Sequence, residues 1–346
     1  MNCHIELRSD NAAGVAPEIM SAITAANTGS ALAYGADEWT SELRDQVRQV
    51  FEHPDAEVFP VISGTAANSL ALAALCPPWG SVLCHETAHI LNSECGATSM
   101  FGGGATMRGL GGDDFRLTPA IVRDAFEATR WGDPHHSQPS VVSLTVPTDH
   151  GTIYTAEQIA ELTAVARERG LRTHLDGARV ANAIAALNCS PADLTWRAGI
   201  DAFSLGATKN GVLSTDAIVS FDPAISEQLV YRVKRAGHVA SKMRFQSVQL
   251  TRYLTDDLWL NLARHSNSAM SRLADGLRGL GIELLNDPDV NMLFVRLDRE
   301  AIDRMAEAAL LFYRMSHDTI RLVTSFQTTE DEIDEALLRV KTALAG

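Results

Sequence analysis

Residues Glu57–Leu75, EVFPVISGTAANSLALAAL, decide the fold. Glu57–Ile62 reads as a buried strand, because a short apolar run bounded by turn residues is too brief for a helix. Ser63-Gly64-Thr65 turns the chain, and Ala66–Leu75 reads as a helix built from the two strongest helix formers, Ala and Leu. The same alternation continues outward from this unit. Ser81–Cys84, Val141–Thr145, Leu171–Leu175, Ala202–Leu205 and Ala217–Phe221 read as further strands. A helix begins near Thr155, where Thr155 and Gln158 have the spacing of a capping box. Strands alternating with helices predict βαβ units, and so an α/β fold with a mostly parallel, doubly wound sheet. Ligands of such sheets bind outside the carboxyl ends of the strands.

After Pro223 the pattern turns helical, through Tyr231–Ala240 and then from Phe245 to about Leu280. A second α/β segment follows, with Asn291–Leu297 and Thr319–Thr324 as strands and Glu300–Ala309 as a helix. The last helix opens at Thr329, again with a capping-box partner at Glu332. The expected organisation is a large domain over residues 1–250, the N-terminal segment included, and a smaller C-terminal α/β domain over 251–346. A long helix is expected to join them, since no Pro- or Gly-rich linker marks the boundary.

The chain has 346 residues, 46% hydrophobic and 21% charged, with a formal net charge of −14. That balance argues against a nucleic-acid partner, because phosphate backbones are bound through clustered Lys and Arg. Five cysteines with no CxxC pair suit a reducing cytoplasm better than a disulfide framework. Met1–Asp10 contains no apolar stretch of the signal-peptide kind, and no apolar run is long enough to span a membrane.

Three groups fall at predicted strand ends. Ser63-Gly64-Thr65 presents backbone N–H groups and the positive end of a helix dipole, a cradle for phosphate or a plain helix cap. Asp176, in Leu175-Asp176-Gly177-Ala178-Arg179, can pair with a pyridinium nitrogen or cap the helix after it. Lys209, in Gly206-Ala207-Thr208-Lys209-Asn210-Gly211, sits in a small, glycine-flanked loop where desolvation would free its amine for imine formation; alone, it also reads as a surface lysine. A phosphate turn, an acid and a lysine at successive strand ends are together what an imine-forming phosphate cofactor requires.

With these motifs the chain resembles, over nearly its whole length, the threonine aldolase family of fold-type I pyridoxal-phosphate enzymes, the phenylserine aldolases included. The other carriers are Leu7-Arg8-Ser9-Asp10-Asn11, Tyr34-Gly35-Ala36-Asp37, Ala66-Ala67-Asn68 and Glu86-Thr87-Ala88-His89, followed by Ser241-Lys242-Met243-Arg244 and Arg321-Leu322-Val323-Thr324-Ser325. The resemblance implies an aspartate-aminotransferase-like fold and pyridoxal 5'-phosphate held by Lys209 as a Schiff base. It implies Asp176 at the pyridine nitrogen, His89 over the ring and near the substrate hydroxyl, and Gly64 and Thr65 at the phosphate. Lys242 or Arg244 is expected to reach the phosphate from a neighbouring subunit. Arg179 is placed by the phenolic oxygen and, with Ser9 and Arg321, at the substrate carboxylate. His135 matches a second histidine near the hydroxyl, with His136 as an alternative register. Tyr34 and the Ala97–Gly104 loop are expected near the substrate side chain.

The pattern is broken after the third strand, where Val146 and Asp149 stand in place of a Gln and a Glu. No metal is expected. The implied reaction is retro-aldol cleavage of a 3-hydroxy-2-amino acid, with β-elimination, transamination and non-catalytic cofactor binding as alternatives. Homodimers or homotetramers with shared active sites are implied as well.

Overall fold

The deciding unit forms as expected: strand β1 (Glu57–Val61), the Ser63 cap, and helix α1 (Gly64–Leu75), in a computed structural model that describes residues 4–345. Cys3 lies outside the described residues. The sheet continues with β2 (Gly80–His85), β3 (Thr106–Leu110), β4 (Gln138–Thr145), β5 (Arg172–Gly177), β6 (Ala202–Leu205) and β7 (Asp216–Ser220); helix α2 (Val180–Leu187) follows β5. Its strand order is β1-β7-β6-β5-β4-β2-β3. From β6 to β3 every pairing is parallel, whereas β7 runs antiparallel to both neighbours.

Alternation along the strands divides two cores. Leu83, Val142, Leu144, Leu175, Phe203 and Val219 face one layer, which includes α2, Tyr253 and Trp259. Val82, Cys84, Val141, Ala202 and Ile218 face the other, against α1 and Leu229. Coverage on both faces is why these strands read as nearly continuous apolar runs. The edge strand β3 lacks that signature, being exposed at Thr106 and Gly109, and the sequence pattern did not disclose it.

The helix expected from Phe245 to about Leu280 is two helices, α3 (Arg244–Leu254) and α4 (Leu258–Gly279). Between them Asp256 and Asp257 adopt φ of 54° and 52°, left-handed values that cannot continue a right-handed helix. The helix before them spans Pro223–Arg235. It stops because Gly237 takes φ 84°, with His238 N–H bonded back to the Val233 carbonyl at 3.0 Å.

In the C-terminal part, β8 (Glu283–Leu284), β9 (Met292–Arg296), β10 (Tyr313–Arg314) and β11 (Thr319–Val323) form an antiparallel sheet ordered β10-β11-β9-β8, and helix α5 (Glu330–Ala345) closes the chain. Leu273, Leu277, Leu293, Val295, Ile320, Leu322, Ile333 and Val340 build its core. The N-terminal segment, grouped from the sequence with the larger unit, is divided between the two units: Ile5 and Leu7 are buried in this core, where Ile5 pairs in parallel with Leu310, whereas Ala16 and Ile19 pack in the core of the larger unit. Both expected capping boxes are present, at Thr155/Gln158 and Thr329/Glu332. Among the described residues no helix is long and apolar enough to cross a membrane.

The loop from β6 to β7 passes so close to the end of β5 that only glycine fits at 206. A Cβ there would stand within 2.6 Å of three backbone atoms of Ala178. Gly206→Ala is therefore expected to lower the melting temperature clearly, at a cost of about 1–3 kcal/mol for overpacking. An unchanged melting temperature would contradict this close approach.

Candidate active site

Thr145, Asp176 and Ser204 lie side by side in register at the carboxyl ends of β4, β5 and β6. They border one pocket together with Gly64, Thr65, Asn68, His89, Glu94, Asp149, Arg179, Thr208 and Lys209. Asp176 is 1% exposed and does not cap the helix after it. Its Oδ1 accepts from Ala178 N–H at 3.1 Å, and its Oδ2 accepts from Asn68 Nδ2 at 3.0 Å. These two fixed donors orient the carboxylate at the edge of the pocket.

Lys209 stands on a single 3-10 turn, Thr208–Asn210, between the antiparallel strands β6 and β7. Asp216 Oδ1 ties that turn down by accepting from the amides of Ala207 and Thr208 at 2.8 and 2.9 Å. Asn210 Nδ2 donates to Tyr253 Oη at 2.9 Å and to the Trp259 carbonyl at 2.8 Å. The break between α3 and α4 thus helps to anchor the lysine loop. Burial and the nearby Arg179 charge lower the Lys209 pKa, against the opposing pull of Asp10, Asp176 and Asp216. The amine is correspondingly easier to obtain neutral, the form that attacks a carbonyl.

Arg179 is committed to a partner the sequence did not reveal. Its Nε and Nη2 donate to the two oxygens of buried Asp10 at 2.6 and 2.8 Å, and Asn291 Nδ2 adds a bond to Oδ2 at 3.1 Å. Burial pushes the Asp10 carboxyl up, but the Arg179 guanidinium outweighs it and holds the group below its usual value. Nη1 and the second N–H of Nη2 make no hydrogen bond, so the side of the fork turned away from Asp10 is left for a ligand. Ser9 is similarly engaged, accepting from the backbone N–H and side-chain Nδ2 of Asn11, both at 3.2 Å, and Asn11 rather than Ser9 borders the pocket. Arg321 has more to offer. Its Nε is buried without a partner, while burial and the Arg179 charge press its pKa down, as for a cation awaiting an anion.

His89 opens a short helical turn, and its Nδ1 lies 2.9 Å from Glu94 Oε1. The hydrogen bond to Glu94 raises the His89 pKa despite partial burial. Asn68 Nδ2 donates both to Glu94 Oε1, at 2.9 Å, and to Asp176. Donor atoms of His89, Glu94 and Asp176 lie within 4.8 Å of one another, a spacing that could suit a metal ion. However, the Asn68 amide, which would repel a cation, already stands between the two carboxylates. Asp149, at the position that departs from the family pattern, borders the pocket with its Oδ2 unpartnered; burial and the Asp176 charge raise its pKa.

Other expected residues lie elsewhere within this chain. His135 sits in an exposed turn, its N–H bonded to Asp133 Oδ1 at 3.0 Å, before the first residue of β4. The pocket is at the far end of that strand, roughly 25 Å away at about 3.3 Å per residue, so neither His135 nor His136 joins it. Tyr34 is 59% exposed and borders a different cleft of about 660 Å³, where Lys234 Nζ stands 4.6 Å from its ring centroid. Arg244 donates to the Thr28 carbonyl at 2.9 Å and packs over Phe245, and Lys242 is exposed. Met100, Phe101 and Gly103 of the Ala97–Gly104 loop line a third cleft with Tyr231, away from His89.

The pocket fits pyridoxal phosphate on features of its own. Gly64 and Thr65 precede the first intrahelical hydrogen bond of α1, so their N–H groups can meet a phosphate. Thr208 Oγ1, which the sequence reading did not single out, is buried without a partner on the same pocket. Asp176 supplies the charge for a pyridinium nitrogen and Lys209 the amine for an aldehyde. Fold and pocket together define a fold-type I pyridoxal-phosphate enzyme.

Comparison with known proteins agrees. The β-eliminating lyase family model matches residues 6–300. A low-specificity L-threonine aldolase of Pseudomonas aeruginosa is 40% identical over 332 residues, 95% of each chain. A second, from another Pseudomonas strain, is 37% identical over 99% of this chain and 98% of its own. The structure of Leishmania major threonine aldolase superposes with a TM-score of 0.91 at 27% identity, covering 97% of this chain and 98% of that one. The chain belongs to the β-eliminating lyase family, on its threonine aldolase branch, and is a pyridoxal-phosphate-dependent lyase.

Proposed function

We propose that this chain cleaves L-3-hydroxy-2-amino acids, with threonine, allo-threonine and phenylserine as candidates, to glycine and an aldehyde by breaking the Cα–Cβ bond. The observation that carries the reading is His89: its Nδ1 is tied to Glu94, which leaves Nε2 as the free nitrogen of an imidazole bordering the Lys209–Asp176 pocket. Pyridoxal phosphate, when bound, supplies the sink for the electron pair released at Cα. Lys209 would hold the cofactor through its amine. Asp176 would be the partner of the ring nitrogen. Arg321, with Nη1 of Arg179, holds the substrate carboxylate, and His89 Nε2 takes the proton of the β-hydroxyl as the carbonyl forms.

The direct test is a rate comparison of L-threonine, L-allo-threonine and L-phenylserine on the purified enzyme, with aldehyde release as the readout. Absence of aldehyde from all three would refute the reading. Arg321→Leu is expected to raise KM far more than it lowers kcat, because it removes a charge-assisted contact present before and during bond cleavage. Such a bond is worth about 1.5–3 kcal/mol, or roughly tenfold to a hundredfold in kcat/KM. A change confined to kcat would place Arg321 elsewhere in the reaction.

The proposed working form is a cytoplasmic homodimer or homotetramer with shared active sites. Its support is the position of Tyr34 and Arg244 outside their own pocket, and apolar surface such as Ile62, Met100 and Tyr231, the last 77% exposed. The free cysteines Cys76, Cys84, Cys95 and Cys189 suit a reducing compartment. Sedimentation would test the assembly, and a monomer at working concentration would contradict it.

A further inference from the structure

We propose that Glu94 is a positioning residue for the cleavage: its buried carboxylate holds the Nδ1–H of His89, making Nε2 the nitrogen that receives the β-hydroxyl proton, while Asn68 ties the same carboxylate to Asp176. The inference rests on the aldolase reading and adds to it a residue outside the recognised motifs. Glu94 Oε1 lies 2.9 Å from His89 Nδ1, and the Glu94 side chain is 0% exposed. Oε2 is buried with no partner. No lysine or arginine pairs with Glu94 among the described residues. A carboxylate buried on those terms is costly to the fold. His89 and Asn68 are its hydrogen-bond partners, and both border the pocket.

The chemistry follows from the donor inventory. Burial raises the Glu94 pKa, against the pull of the bonds from His89 and Asn68. In its ionised form the carboxylate only accepts, so Nδ1 carries the hydrogen, and in the neutral ring Nε2 then holds the lone pair. When the β-hydroxyl O–H bond breaks, its proton forms an N–H bond on Nε2. The pair left on oxygen becomes the second bond of the aldehyde carbonyl as the Cα–Cβ bond breaks, its pair going to the electron sink that bound pyridoxal phosphate would supply. Cα later takes up one proton as glycine forms, so protons balance over the cycle. The imidazolium formed on the way is stabilised by Glu94 at 2.9 Å.

The charged groups facing His89 are Glu94 from the loop after its own turn, Asp176 from β5 and Asp149 from the loop after β4. Asn68, from α1, is neutral and donates to Glu94 Oε1 and Asp176 Oδ2 at 2.9 and 3.0 Å, so it bridges two like charges that would otherwise repel. Asp149 and Asp176 also favour a protonated His89, but neither is hydrogen-bonded to it. Glu94 is the largest single cause of the raised His89 pKa. A raised pKa means the base is neutral, and cleavage runs, only above that value; activity falls as pH drops through it. Removing the Glu94 charge lowers the pKa and carries the acid limb to lower pH.

The test compares the holoenzyme with Glu94→Gln and Glu94→Asp, reading kcat and KM for L-threonine against pH, and the His89 titration by NMR without substrate. Glu94→Gln is expected to keep KM, lose about tenfold to a hundredfold in kcat, a share of the roughly 10²–10⁴-fold a general base provides, and shift both the acid limb and the His89 titration downward. Glu94→Asp should restore part of each. Unchanged kcat and acid limb in Glu94→Gln would overturn the proposal. So would a His89 titration that stays in place, even in a variant that binds the cofactor poorly. If the parent enzyme released no glycine, the aldolase reading would fail, while the His89 titration would still decide whether Glu94 governs that ring.

Discussion

Lys209→Ala is expected to abolish the visible absorbance of lysine-bound cofactor and to cut turnover by about 10³-fold or more, while leaving the melting temperature almost unchanged. The separation of the two effects comes from how the loop is built. Its anchors are Asp216 on the amides of Ala207 and Thr208, and Asn210 on Tyr253 and Trp259; none uses the Lys209 side chain. The ammonium itself sits where burial and Arg179 disfavour its charge, so deleting it relieves a cost. Spectrum, turnover and thermal melt on one preparation would check all three statements. An unaltered spectrum would remove Lys209 from the cofactor.

Asp176→Asn should behave differently, losing both catalysis and stability. Donors converge on this carboxylate from Asn68 and from the Ala178 amide. An amide side chain has one acceptor oxygen, so its NH2 must face one of those donors. The resulting unmade bond in a buried site costs about 1–3 kcal/mol. The loss of the charge that keeps the ring electron-poor should lower kcat by about 10²-fold or more, the scale of a preorganised electrostatic contact. A melting temperature and kcat both near those of the parent would show that Asp176 faces something other than the ring nitrogen. The contrast between the two variants separates a residue that only serves the chemistry from one that also holds the pocket together.

How much of this could be read from the sequence depended on where each residue sits. The central strands were legible because they are covered on both faces, and Asp176, Lys209 and Gly64-Thr65 because they stand at the ends of such strands. β3 escaped because an edge strand needs no apolar run. The break at Thr255–Asp257 escaped because its flanks, Arg244–Leu254 and Leu258–Gly279, are both good helices and two left-handed aspartates leave no periodic trace. Asp10 and Arg179 are 169 residues apart, so nothing local shows that one side of the arginine fork is already engaged. Glu94 follows His89 by five residues across the end of a helical turn, a separation that matches neither the helical nor the strand period. His135 was placed by motif similarity, and the length of β4 sets it at the wrong end of the strand for its own pocket.

The claim that Lys209, Asp176 and His89 serve Cα–Cβ cleavage is tested most directly by product analysis. Purified enzyme would be incubated with L-threonine in D2O and followed by proton NMR. The account predicts acetaldehyde and glycine in equal amounts, the glycine carrying deuterium at Cα where the side chain was lost. Formation of a four-carbon keto acid with ammonia, and no glycine, would contradict it and return the pocket to β-elimination.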